Sequence, residues 1–320
     1  MNLMKVIQRI KKSKSILIST HENADPDALC SELAIAHYLK GLNKRVEIVN
    51  NEAVPHRIKF IPGVGPIVPY RPGQSSRADL VIIVDCGEKA RIGKVTGLLP
   101  KDVFIINIDH HITNDKFGHL NLVDPQASST AEILYFLLKQ GRCRWDKSLA
   151  LYLYLGIMTD TGSFRYENTT VRTHQVVSDL LRFRLPVSKL YSQLYEVIPW
   201  SDLKAFIKIM GHFEVYYDGK VACIELTKEI LNEFSMDFDL RDTIFKFLRS
   251  IKGLEVLVIL TEVSPLKTRI NFRSTDRVNV AQLASFFRGG GHRRASGCMY
   301  PGPLKESKAK VLAKIKKVLG

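Results

Sequence analysis

Seven residues after an apolar run, "HENADPD" at 21–27, hold one histidine, one glutamate and two aspartates. Three later stretches repeat those residue types: "VDCGE" with Asp85, "DHH" at 109–111, and "GIMTDTGSF" with Asp160. Each has an ordinary explanation by itself. Asp25 or Asp27 can cap a helix with Pro26 in its first turn. Asp85 before Cys86-Gly87 can be a turn residue, Asp109-His110-His111 a polar strand end, and Asp160 a helix stop. Together they suggest different chemistry. His21, Asp25, Asp27, Asp85, His110 and Asp160 would crowd four carboxylates and two imidazoles, and some carboxylates would have to protonate unless cations relieved the repulsion. Two divalent ions would balance the four negative charges. Oxygen-rich ligands with some imidazole suit Mn²⁺, with Mg²⁺ or Co²⁺ as substitutes, and the lack of thiolates disfavours structural zinc. Paired ions about 3.5–4 Å apart activate water and hold both oxygens of an in-line phosphoryl displacement. That is the reaction class the residues imply.

These groups can meet only if the fold brings them together. Short β-rich runs appear at "SILIS" (15–19), "RVEIVN" (45–50), "LVIIVD" (80–85) and "VFIINID" (103–109), with a helical pattern at 27–39 carrying Leu29, Leu33, Ala36 and Leu39. Nearly continuous apolar strands joined through helices predict a mainly parallel sheet with helices on both faces. Ligands of such sheets bind beyond the carboxyl ends of the strands. Three of the four runs end at the residues above, so one rim collects them if those strands are neighbours. From 128 to 194 the pattern is mostly helical, and Ser129 with Glu132 predicts a capping box opening "AEILYFLLKQ".

A second, smaller α/β domain with a mixed sheet is expected after a connecting helix. "FEVYY" and "KVACIEL" read as a hairpin through Asp218-Gly219. "LEVLVIL", "KTRINFR", a helix "VAQLASFF", the run "RGGGHRRASG" and a basic terminal helix follow. The predicted division is 1–195, a connector at 196–212, and 213–320, with a cleft between the domains. There is no internal repeat or low-complexity linker.

Composition narrows the class. Hydrophobic residues at 45% and charged residues at 25% fit a globular protein, and no apolar run nears the roughly 20 residues of a membrane span. The first 20 residues lack the long apolar core of a signal peptide, and read as an amphipathic helix feeding the first strand. Cys30, Cys86, Cys143, Cys223 and Cys298 are dispersed without C-x-x-C pairing, which predicts reduced thiols and a cytoplasmic location. A net charge of +15, from 47 basic and 32 acidic residues, favours a polyanionic partner.

The four motifs, in this order, resemble the DHH phosphoesterase superfamily. "NFRS" followed by "GGGHRRASG" is similar to the DHH-associated C-terminal domain of its oligoribonuclease and phosphoadenosine-phosphate phosphatase branch, so the resemblance spans essentially the whole chain. It implies that His21 and Asp25 hold one ion, that Asp27, His110 and Asp160 hold the other, and that Asp85 bridges both. It implies that Asp109 orients a neighbour and that His111 faces the substrate phosphate. One departure is Pro26, where family members often have glycine between the two aspartates.

For the second domain the resemblance implies a substrate-binding set of Arg273, Ser274, Gly289, Gly290, Gly291, His292, Arg294 and Ser296. A run without Cβ atoms is free to turn its N–H groups towards an anion, and Arg273 can grip a phosphate with two donors. Phe164, Tyr166, Phe272 and Phe287 are candidates for base stacking, with the core as the more ordinary place for each. The expected activity is hydrolysis of short oligoribonucleotides to mononucleotides, with 3′-phosphatase action on phosphoadenosine phosphate. The substrate would be short RNA, a dinucleotide or a phosphorylated nucleotide, without membrane attachment, and the protein would form a homodimer. The alternative is a cyclic-dinucleotide or linear-dinucleotide phosphodiesterase. More remote are a single-strand DNA exonuclease and a non-catalytic RNA-binding protein.

Overall fold

The computed structural model describes residues 2–235, 238–275 and 277–319, with His292 described by its backbone alone. The chain divides into two compact units, Met1–Glu196 and Val197–Gly320. In the first, α1 (Leu3–Lys12) precedes β1 (Ser15–Ser19), α2 (Pro26–Gly41), β2 (Arg45–Asn50), β3 (Ile67–Pro69), β4 (Leu80–Val84), β5 (Phe104–Asp109) and β6 (Leu120–Val123). Then come α3 (Thr130–Gln140), α4 (Lys147–Asp160), α5 (Val171–Leu181) and α6 (Val187–Tyr195).

The six strands lie in the order β3-β2-β1-β4-β5-β6, and every pair is parallel. Chain order therefore reverses between β1 and β4, which opens a crevice at their carboxyl ends. Side chains alternate across the sheet. Ile16, Ile18, Ile82 and Val84 face α1 to α5, while Leu17, Val81 and Ile83 face the other side. Among the described residues no α-helix packs on that second face: two short 3₁₀ turns over Lys89–Leu98, meeting at Gly93, cover it with Ile92, Val95 and Leu98. The expectation of helices on both faces is met there by tighter turns, which Gly93 separates with its non-helical φ of 66°. Each buried Leu, Ile or Val contributes about 1.5–3 kcal/mol relative to exposure.

Local chemistry sets the helix starts. Asp25 caps α2, accepting from the Ala28 N–H at 3.0 Å, with Pro26 in the first turn. Ser129 caps α3 by accepting from the Glu132 N–H, but the reciprocal half of the expected capping box is absent. Glu132 turns away to accept from the Ser128 hydroxyl at 2.6 Å, the Thr173 hydroxyl at 2.8 Å and Arg172 Nε at 2.5 Å. Those bonds tie α3 to α5, and the reciprocal box forms at Thr170 and Thr173 of α5 instead.

The second unit contains α7 (Trp200–Met210), β7 (Glu214–Tyr216), β8 (Val221–Leu226), α8 (Lys228–Asn232), α9 (Leu240–Leu248), β9 (Val256–Ser264), β10 (Lys267–Ser274), α10 (Val280–Phe286), β11 (Gly290–His292), β12 (Ala295–Tyr300) and α11 (Leu304–Leu319). Its sheet runs β11-β12-β10-β9-β8-β7, mixed because β8 and β9 are parallel and the rest antiparallel. Phe206 and Ile209 of α7 join α9 against Ile224, Leu257 and Ile259, while α10 and α11 cover the opposite face. Residues 197–212 fall in the second unit, and Glu196 ends the first. Among the described residues, no helix is long and apolar enough to cross a membrane.

Candidate metal centre

The residues following β1, β4 and β5 meet at the crevice where chain order reverses. Three groups have ligand atoms mutually within 4.8 Å: His21, Asp25 and Asp85; Asp27, His110 and Asp160; and Asp85, His110 and His111. Asp85 belongs to two neighbourhoods through different oxygens. Its Oδ2 lies 3.7 Å from His21 Nε2, and its Oδ1 lies 3.6 Å from His110 Nε2. His110 Nε2 is also 3.3 Å from Asp160 Oδ2. Asp85 reaches this position with φ of 53°, a left-handed conformation that aspartate tolerates better than most residues.

Each imidazole is oriented by a fixed partner. His21 Nδ1 is 2.8 Å from the Glu22 carbonyl, to which it donates, and this turns Nε2 towards Asp85. The Ala127 backbone lies beside His110 and favours its charged form. His111 Nδ1 donates to Asp109 Oδ1 at 2.6 Å, and Asn114 Nδ2 donates to Asp109 Oδ2 at 2.6 Å. Asn114 also donates to Asn107 Oδ1, so a relay of side chains locks the His111 ring.

Burial and mutual repulsion set the electrostatics. Burial, then the charges of Asp85 and Asp160, push the Asp27 carboxyl well above the usual carboxylate range. Burial, then Asp85 and Asp25, do the same to Asp160. Asp85 moves the other way: burial opposes its charge, but His21, His111 and His110 hold it below the usual range. Burial would lower His21, yet Asp85 and Asp25 raise it to about 9. Protons are thus retained where cations would relieve the same repulsion. Buried and half-buried carboxylates and imidazoles, in overlapping groups of which two share Asp85, fit divalent metal ions.

All six sequence-selected ligands come together here. The two readings of the first motif are both realised: Asp25 caps α2 and also joins the first group. Three neighbours escaped the sequence analysis. Arg91 Nη2 lies 3.3 Å from His21 Nδ1, Asn114 holds Asp109, and the Thr130 hydroxyl donates to Asp85 Oδ1 at 2.9 Å. All three lie in or near quoted stretches, but no spacing rule singles them out.

The second-unit set is arranged differently. The "GGGH" run is no open loop: Gly290, Gly291 and His292 form β11, the edge strand paired with β12. A Cβ at 289 would come within 2.4 Å of Cys298 Cβ, and one at 291 within 2.7 Å of Ser296 Cα, so these glycines permit close strand packing. Only Gly290 of the three has open space around it. The Ser296 hydroxyl is buried and donates to the Val280 carbonyl at 2.5 Å, which commits it to the core. Ser274 is buried, and its backbone N–H donates to the Arg294 carbonyl. Arg273 lies with its guanidinium carbon 4.5 Å from the Phe245 ring centre. The His292 side chain lies outside the described residues. Among the stacking candidates, Phe272 is fully buried, Phe164 and Phe287 are partly buried in the cores, and Tyr166 is exposed.

Residues 15–157 match the DHH family N-terminal domain, and residues 220–320 match the DHHA1 domain. The chain belongs to the DHH family. A relative named bifunctional oligoribonuclease and PAP phosphatase NrnA, from Thermus thermophilus, is 28% identical over 324 residues, covering 99% of this DHH-family chain and 94% of that protein. The Bacillus subtilis protein of the same name is 27% identical and covers 91% of each chain. A crystal structure of an exopolyphosphatase-related protein from Bacteroides fragilis matches with a TM-score of 0.87 at 27% identity, covering 98% of this chain and 94% of that one.

Proposed function

We propose that this DHH-family protein is a two-metal phosphodiesterase that degrades oligoribonucleotides of a few residues to mononucleotides and removes the 3′ phosphate of phosphoadenosine phosphate. The observation that carries the reading is the single aspartate, Asp85, turning one oxygen towards each of two donor groups. The names of the relatives that match nearly the full chain support the choice of substrate.

In this proposal His21 and Asp25 hold one ion, Asp27, His110 and Asp160 the other, and Asp85 both. The oxygen-rich donors favour Mn²⁺. Bound ions would act as Lewis acids on a phosphoryl oxygen and make water a better nucleophile at neutral pH. The protein's own groups do the rest. His111 commits Nδ1 to Asp109, and this bond fixes the ring that faces the substrate phosphate in this proposal. Burial would lower its basicity, but Asp109 and Asp85 raise it, so the ring can carry a proton to the leaving oxygen. Arg91 adds fixed positive charge beside His21 for a phosphate. In the second unit, Arg273, Ser274, Arg294 and the edge backbone of Gly289, Gly290, Gly291 and His292 form the proposed phosphate-binding set.

The deciding experiment is hydrolysis of a panel with Mn²⁺, and again with chelator. The panel holds RNA oligomers of graded length from the dinucleotide upward, phosphoadenosine phosphate, a cyclic dinucleotide and pyrophosphate. Chelator-sensitive turnover falling steeply with RNA length is expected. Binding of RNA without turnover under any divalent ion would sink the proposal.

A further inference from the structure

We propose that Thr130 is a positioning residue for the candidate metal centre, tying two of its carboxylates together with one backbone and one side-chain donor. The inference rests on the metal-centre reading above and concerns a residue outside the proposed ligand set. The Thr130 N–H donates to Asp27 Oδ2 at 2.8 Å, and its hydroxyl donates to Asp85 Oδ1 at 2.9 Å. The next N–H, of Ala131, donates to Asp27 Oδ1 at 3.1 Å. Asp27 therefore sits across the first turn of α3 as a two-pronged acceptor, which fixes the plane of its carboxylate.

Thr130, Asp27 and Asp85 are all buried, so water does not compete for these bonds. Asp27 belongs to α2 and Asp85 follows β4, and no other described residue donates to both. Each oxygen that accepts from Thr130 keeps a second lone-pair direction for a cation. Thr130 thus sets the rotation of two carboxylates without occupying their metal-facing side.

Gly156 leaves the room this seat needs. A Cβ there would overlap Asp27 Oδ1 and come within 2.6 Å of the Ala131 Cβ. Asp160 lies four residues further along α4, on the same helix face. The absence of a side chain at 156 lets α4 approach Asp27 closely and bring Asp160 with it.

The test compares Thr130→Val, which keeps shape and backbone N–H but removes the hydroxyl, with Thr130→Ser, which retains it. Mn²⁺ affinity is measured by calorimetry, the ligand field by the visible spectrum of the Co²⁺ form, and turnover of an RNA dinucleotide across metal concentrations. Thr130→Val is expected to bind metal about 10- to 100-fold more weakly and to alter the Co²⁺ spectrum. Its turnover should recover substantially at high metal with KM for the dinucleotide unchanged, while Thr130→Ser stays near wild type. If Thr130→Val does not fold, Thr130→Ala carries the same comparison. Wild-type affinity and spectrum in the hydroxyl-free variant, or an equal defect in Thr130→Ser, would overturn the inference. Failure of wild type itself to bind divalent ions would overturn the metal-centre reading and this inference with it, an outcome distinct from a variant-specific null.

Discussion

The rim of the first sheet and the glycine-rich edge of the second carry the two richest motifs in the chain, and they use them in opposite ways. At the rim, residues separated by more than 130 positions, from His21 to Asp160, place ligand atoms side by side. At the edge, residues adjacent in sequence spread apart: Ser296 turns into the core, and Gly289 and Gly291 serve strand packing. The cause is geometric. Parallel strands deliver whatever follows their carboxyl ends to one crevice. An antiparallel hairpin sends successive side chains to opposite faces, so a contiguous motif cannot act as one surface.

Removing the shared member of the rim should have the largest effect. Asp85→Ala is expected to reduce turnover of an RNA dinucleotide to the level seen with chelator, and calorimetry should show fewer bound ions. Wild-type-like turnover would break the idea that one carboxylate serves both groups.

The edge strand offers a sharper contrast within three residues. Gly289→Ala should destabilise the protein by about 1–3 kcal/mol through overpacking against β12, whereas Gly290→Ala should cost far less because nothing crowds it. Urea denaturation of both variants decides this. Equal losses would mean that strand packing is not what the glycines provide.

Arg273→Ala should raise KM for the dinucleotide about tenfold, near 1.4 kcal/mol of binding, with kcat little changed. A fall in kcat at unaltered KM would move Arg273 from binding to chemistry.

A pH-dependent effect concerns Glu32, buried on α2 behind the rim. Burial pushes its carboxyl up to about 8, although Asn50 Nδ2 donates to its Oε2 at 2.8 Å. Glu32 Oε1 and Asn50 Oδ1 have no hydrogen-bond partner among the described residues. The unfolded chain releases the Glu32 proton near pH ~4.3 and the folded chain keeps it to about 8. Stability from this group therefore falls as pH rises through that window, by up to about 1.4 kcal/mol per unit, then levels off. Glu32→Gln should lack this slope in urea titrations between pH 5 and 8. Identical slopes in wild type and variant would show that Glu32 is ionised in the fold.

Much of the architecture could be read from residue patterns. The apolar runs at 15–19, 80–85 and 103–109 supply the neighbouring strands β1, β4 and β5 that carry the rim, and Asp25-Pro26 starts α2 as a local cap. The candidate ligands were legible because metal chemistry restricts residue types, and strand ends mark where such residues gather. Glu132 was misread as half of a capping box, since local spacing cannot show that Arg172 and Thr173 lie within reach.

By itself, the order of amino acids determined the strand runs, the helix caps and the identity of the six ligand candidates. These depend on backbone preference, side-chain period and donor chemistry, all properties of short segments. Only the tertiary structure decided which oxygen of Asp85 faces which imidazole, that Thr130 seats two carboxylates, and that the "GGGH" run is an edge strand. Those facts depend on distances between segments far apart in the chain, which sequence spacing does not encode.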